Sequence, residues 1–95
     1  MASNEDKKMK EIFESITNDM NKIIEDLSVP KNVRSAVAEA KTKLNADGEY
    51  VVRIAEAIYS IDAVSNDINL PPQARTNIWH LLNKLESIKE EVNEQ

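Results

Sequence analysis

The chain has 95 residues, a length for one domain, and it is acidic: 12 lysines and arginines stand against 17 aspartates and glutamates, a net charge of −5. It contains no cysteine, which excludes disulfides, thiolate metal sites and a thiol nucleophile. Its one glycine excludes the phosphate-cradling loops and nucleophile elbows that need several. No apolar run approaches the roughly 20 residues of a membrane span, and Met1-Ala2-Ser3-Asn4-Glu5-Asp6 lacks the apolar stretch of a secretion signal, so a cytoplasmic protein without membrane contact is expected.

Helical spacing defines four segments in chain order. In the first, about residues 5–27, Met9, Phe13, Ile16, Met20, Ile23 and Leu27 step by 4, 3, 4, 3 and 4, and Ile12 and Ile24 widen the stripe to a core-facing breadth. The second, about 31–45, sets Val33, Ala36, Val37, Ala40 and Leu44 on one side, and Asn45-Ala46-Asp47-Gly48 follows with the glycine placed for a left-handed cap. The third, about 49–66, offers Val51, Ile54, Ala55, Ile58, Ile61 and Val64; Tyr50 and Tyr59 are expected to pack. The fourth, about 71–93, carries Ala74, Ile78, Leu81, Leu85, Ile88 and Val92, with Leu82 beside them. Nothing reads as a strand.

One passage occurs twice. Asp26-Leu27-Ser28-Val29-Pro30-Lys31-Asn32-Val33-Arg34-Ser35 returns 41 residues later as Asp67-Ile68-Asn69-Leu70-Pro71-Pro72-Gln73-Ala74-Arg75-Thr76, with Lys43 and Leu44 matched by Lys84 and Leu85. The repeated unit is a helix pair, about 5–46 and then about 49–93. Pro30 and Pro71 fit the first turn of a new helix, where a missing N–H costs nothing. Ser28 and Asn69 are candidate caps, and Val29 and Leu70 candidate staples packing back onto their own helices. The repeat length and the order of Asp, Pro and Arg invite comparison with HEAT repeats, but a solenoid needs at least about three units to close its core. Short connections favour antiparallel neighbours, so the expected fold is all-α: a four-helix up-and-down bundle of two repeated αα-hairpins in a single helical domain, 1–95. Helices 1 and 4 overrun the others by a turn or more. Their overhangs carry Lys7, Lys8 and Lys10 against Glu86, Glu90, Glu91 and Glu94, and could bind each other or meet a second copy of the chain.

Chemistry-bearing constellations are scarce. His80 shares its helix face with Thr76, Asn83, Lys84 and Ser87, a wet surface, and one histidine without cysteine is a poor start for zinc. Carboxylate pairs such as Glu11 with Glu14 or Glu86 with Glu90 could hold a hard cation, yet a bundle metal site draws Glu-x-x-His inward, and here the inward positions are aliphatic. Hence no catalytic residue, metal or cofactor is expected, and no enzyme. Asp26, Pro30 and Arg34, with Asp67, Pro71 and Arg75, read as structural corners in which an aspartate–arginine hydrogen bond fixes the angle between helices. Trp79 reads either as a tryptophan on the core margin or, beside Arg75, as an exposed protein-binding anchor; its counterpart 41 residues earlier is Ala38. Lys31, Arg34, Lys41 and Lys43 form the candidate basic face of the second helix, the alternative being a nucleic-acid contact. The function expected is a small interaction or adaptor module whose partner is another protein or itself, as a homodimer, with nucleic acid the alternative.

The run Asp67-Ile68-Asn69-Leu70-Pro71-Pro72-Gln73-Ala74-Arg75-Thr76-Asn77-Ile78-Trp79, followed by Leu85-Glu86, resembles the signature of a small archaeal family, Uncharacterised Protein Family 0147. The likeness extends over nearly the whole chain. It implies a four-helix bundle in an archaeal cytoplasm and brings no activity, cofactor or catalytic residue.

Overall fold

The four apolar stripes become four α-helices: α1 (Asn4–Ile24), α2 (Lys31–Leu44), α3 (Tyr50–Asp62) and α4 (Pro72–Asn93). The computed structural model describes the backbone of residues 4–93 and the side chains of residues 6–93. No strand occurs among them. Consecutive helices pack together and α4 returns to α1, which makes a four-helix bundle 45 Å long.

The core is aliphatic because the stripes are. Ile16, Met20, Val33, Val37, Leu44, Ile54, Ile61, Ile78, Leu81 and Leu85 are all but sealed from solvent, and Phe13 and Met9 continue the stack on α1. Each such side chain contributes about 1.5–3 kcal/mol by leaving water. Val29 and Leu70, outside the helices, are buried in the core; the N4 position a staple from Val29 would meet is Arg34, not an apolar residue. No buried side-chain polar atom lacks a hydrogen-bond partner among the described residues.

Several expectations change. Leu27 continues the spacing of α1 but is 83% exposed, because the helix stops at Ile24 and the chain turns at Asp26. The third helix ends at Asp62, where the bonds Val64 N–H to Ile61 O and Ser65 N–H to Asp62 O tighten the chain into turns. Within α3, Ala57 and Ser60 join Ile54 and Ile61 inside, whereas Tyr59 points out and is 78% exposed. The glycine does not cap α2. Leu44 is the last helical residue and Asn45 the cap, with its N–H bonded to Lys41 O; Gly48 lies further along the connection, at φ +127°. Ser28 and Asn69 are not caps either. Pro30 stands at the N-cap of α2 without a side-chain cap bond, and α4 starts at Pro72, just after Pro71.

Candidate functional site

The two corners are built alike. At the first, the Asp26 carboxylate accepts the Ser28 N–H at 2.9 Å and the Ser28 hydroxyl at 2.6 Å. At the second, Asp67 accepts the Asn69 N–H at 2.8 Å. Each aspartate therefore shapes its own turn. Their carboxyls sit below the ordinary carboxylate range: Asp26 through the Ser28 hydroxyl and amide, Asp67 through the Asn32 side chain and the Asn69 amide. The arginines do something else. Arg34 donates from Nε to Val29 O at 3.0 Å, and Arg75 from Nη2 to Asp67 O at 3.5 Å. Aspartate and arginine thus meet at each corner, but the expected side-chain bond between them is replaced by bonds to backbone. Arg34 reaches a carbonyl with no backbone donor of its own among the described residues, whereas Asp67 O also accepts the Leu70 N–H at 3.2 Å and takes Arg75 on its second lone pair. Each carboxylate is already engaged by the amide two residues on. Asn32 then ties the corners together by donating to Asp67 at 2.8 Å.

The same end of the bundle carries exposed aliphatic side chains, Leu27 and, at 89% exposure, Ile68. Further apolar surface lies on the second hairpin. Trp79 is 53% exposed and Val52 49%. On α4 the flank toward α1 is marked by Lys84, whose Nζ donates to Asp19 at 2.5 Å. Trp79 lies five residues before Lys84, about 140° from it round the outer side of the helix, so the two flank the buried stripe and Trp79 is on the side toward α3. Arg75, Leu82 and Glu86 share that flank at helical spacing. On α3 the flank toward α2 is marked by Arg53, which bonds Leu44 O; Val52 and Tyr59, seven residues apart, project from the outer side. Trp79 is therefore no core-margin residue sealed into the bundle. Half of it faces water.

The basic residues of α2 do not form one face. Lys31, Arg34 and Lys41 fall within about 80° of one another on the wheel, but Lys43 lies across the helix from Lys41 and pairs with Glu39 at 3.2 Å. Arg34 is committed to its corner.

Sequence reasoning missed Arg53. It is part-buried, donates from Nε to Leu44 O at 2.9 Å, and lies 4.9 Å from the Phe13 ring centroid and 5.3 Å from that of Tyr50. Phe13 and Tyr50 meet edge to face, and the Tyr50 hydroxyl donates to Asp6 at 3.2 Å. Burial, and then Asp6, push the Tyr50 hydroxyl above the usual phenol range. This cluster ties the first turns of α1 to the joint between α2 and α3, so the long helix is anchored within its own bundle. Lys7, Lys8 and Lys10 are exposed, as are Glu86, Glu90 and Glu91; Glu94 lies outside the described residues.

The seam between α1 and α4 is the loosest of the four. One groove of about 440 Å³ runs over Ile23 and Leu81 between Lys22, Asn77, His80 and Asn83. A second, of about 480 Å³, continues over Ile12, Ile16 and Ile88. His80 is exposed on its rim, away from any second histidine. No group of three or more acidic or histidine side chains is gathered for a metal ion among the described residues, and no described helix is long and apolar enough to cross a membrane.

Fold and surface define an all-α four-helix protein with apolar side chains displayed on its second hairpin. Residues 1–88 match the model of the uncharacterised protein family UPF0147, and the chain belongs to that family. It is similar to the UPF0147 protein of Methanocaldococcus jannaschii, 39% identical over 85 residues that cover 88% of this chain and 91% of the relative. Similarity to the Methanothermobacter thermautotrophicus member is 42% over 81 residues, covering 84% and 79% of the two chains. The fold resembles a crystal structure of the protein of unknown function MMP1188, with a TM-score of 0.78 and 38% identity over 94% of this chain and 97% of that one.

Proposed function

We propose that this protein is a small non-catalytic interaction module of the cytoplasm, which docks a protein partner on the outer face of its second hairpin. The observation that carries the reading is the half-exposed Trp79 on α4, accompanied by exposed Tyr59 and Val52 on the adjoining helix. Leaving such side chains in water is unfavourable, and tryptophan, tyrosine and arginine dominate binding hot spots. The repeat offers an internal control: 41 residues before Val52, Tyr59 and Trp79 stand Glu11, Asn18 and Ala38. One hairpin displays apolar groups where the other displays small or polar ones, although both have to build the same bundle. The contrary reading, a nucleic-acid contact through α2, is weakened by the pairing of Lys43 with Glu39 and by an overall charge of −5.

Affinity capture of the tagged protein from native lysate, with and without nuclease, tests the reading. A stoichiometric partner that survives nuclease and is lost with Trp79→Ala supports it. Partners that vanish with nuclease and with Lys41→Glu, but persist with Trp79→Ala, overturn it in favour of nucleic acid.

A further inference from the structure

The face around Trp79 is acidic as well as apolar, and its carboxylates are unengaged. Glu56 stands four residues after Val52 and three before Tyr59, and Asp62 three after Tyr59; on α4, Glu86 stands seven after Trp79 and Glu90 four further on. At about 100° per residue these carboxylates fall within about 60° of the apolar side chains on their own helix, Glu86 and Glu90 about two and three turns beyond Trp79. All four are exposed, and none is held in an ion pair or side-chain hydrogen bond among the described residues. Of the basic groups on this flank, Arg75 has Nη2 turned to the carbonyl of Asp67, and Lys89, half-buried three residues after Glu86, is in no ion pair among the described residues. Two acids elsewhere are paired, Glu39 with Lys43 and Asp19 with Lys84; what sets these four apart is their place beside exposed apolar side chains. The outer side of the second hairpin thus displays aromatic and aliphatic side chains together with unpaired carboxylates.

We propose that the partner docked here is a basic amphipathic segment, with aliphatic anchors set against Trp79 and Tyr59 and lysines or arginines along its flanks. The proposal rests on the interaction-module reading and adds the partner's chemistry. Charges of this kind steer encounter and select partners, while the buried anchors hold them. A helix with apolar residues at spacings of three and four presents both features at once. A second copy of the chain is a poorer occupant: it offers the same acidic face to a two-fold contact, and the basic side of its α2 would give an unsymmetric contact that does not close.

Trp79 is the chain's one tryptophan, so its emission reports directly on this face. The test titrates the whole protein with a synthetic amphipathic helix of leucine and lysine, and separately with one of leucine and glutamate. A double variant on the face, Glu56→Lys with Glu86→Lys, is compared with one on exposed positions of α1, Glu14→Lys with Glu25→Lys. Both are first checked for native helicity and an unchanged urea midpoint. The expected result is a saturable blue shift with the lysine peptide, weakened about tenfold or more by the face variant and little by the α1 variant, with no shift from the glutamate peptide. Equal response to the glutamate peptide overturns the basic partner and leaves the docking face standing. Equal weakening by both variants also overturns it, because the attraction is then to net charge alone. If neither peptide moves the emission the proposal falls, and the capture experiment with Trp79→Ala decides separately whether the docking face falls with it. A doubled mass in light scattering, abolished by Trp79→Ala, overturns it in favour of self-association.

Discussion

Replacing Arg53 by methionine isolates what a charged side chain contributes to the joint between α2 and α3. Methionine keeps a long apolar stem against Phe13 and Tyr50 but removes the Nε donor and the cation. Leu44 O is one of the last carbonyls of α2, which have no intrahelical partner, and the 2.9 Å bond from Arg53 satisfies it. A hydrogen bond from a charged donor is worth about 1.5–3 kcal/mol net, and a cation over a partly exposed ring about 0.5–1 kcal/mol. The guanidinium serves two rings, at 4.9 and 5.3 Å, and the terms share one group, so they do not add fully. The expected loss is about 2–3 kcal/mol, a large part of the stability of a domain this size. In urea it lowers the unfolding midpoint by about 1–2 M at an ordinary slope for a small protein. Arg53→Lys keeps a cation near the rings but lacks the rigid fork that reaches the carbonyl, and loses about 1 kcal/mol. A midpoint for Arg53→Met within about 0.3 M of the parent refutes the reasoning, as does a lysine variant no better than methionine.

Met20 is fully buried, and Met20→Ala costs about 2–5 kcal/mol in urea unfolding, whereas Leu27→Ser on the exposed turn changes stability by no more than about 0.5 kcal/mol. Gly48→Ala meets no atom within 4 Å, so its cost of about 1–3 kcal/mol is entirely that of the φ of +127°; an unchanged midpoint would show that the connection relaxes freely. The Asp67 carboxyl is lowered by Asn32 and Asn69, so the unfolded chain takes up that proton first as the solution is acidified. Its contribution is fully present above an unfolded carboxylate pKa of about 3.9 and is lost as pH falls through the lower folded value. Asp67→Asn is accordingly less stable than the parent at neutral pH, and the gap narrows in urea titrations below the folded value.

The bundle was legible because helical spacing is a property of neighbours in sequence. Met9, Phe13, Ile16 and Met20 announce their common face through steps of three and four, and the structure buries all of them. Where a helix stops is harder to read. Leu27 satisfies the same spacing as Ile23, yet Asp26 has a better use for its carboxylate in accepting the Ser28 N–H, and the chain leaves the helix. Residues 63–66 likewise form turns despite the helical fit of Val64. The corners were legible as corners, since Pro and Asp occur at both, but not the identity of each bond: a carbonyl is present at every residue and leaves no mark in the sequence. Arg53 had no signal of its own. It acquires a role only when folding brings Phe13, Leu44 and Tyr50 around it, and the link from Asn32 to Asp67 spans 35 residues. For Trp79 the sequence offered a margin position with two outcomes, and the geometry of α4 selects the outward one.

The loose seam has a topological meaning. Ile23 of α1 lies by Asn77 and Leu81 of α4, and Ile12 by Ile88 and Glu91, so these two helices run antiparallel and the start of α1 lies near the end of α4. The helices form a ring in which the peptide chain spans three joints and the fourth is closed by packing and the bond from Lys84 to Asp19. Such a ring has no privileged first element. Joined between α4 and α1 and opened at the exposed Asp47–Gly48 peptide, the same residues would make a circular permutant with its two hairpins in reverse order. The break would then fall between α2 and α3, at the joint that Arg53 already holds from the side.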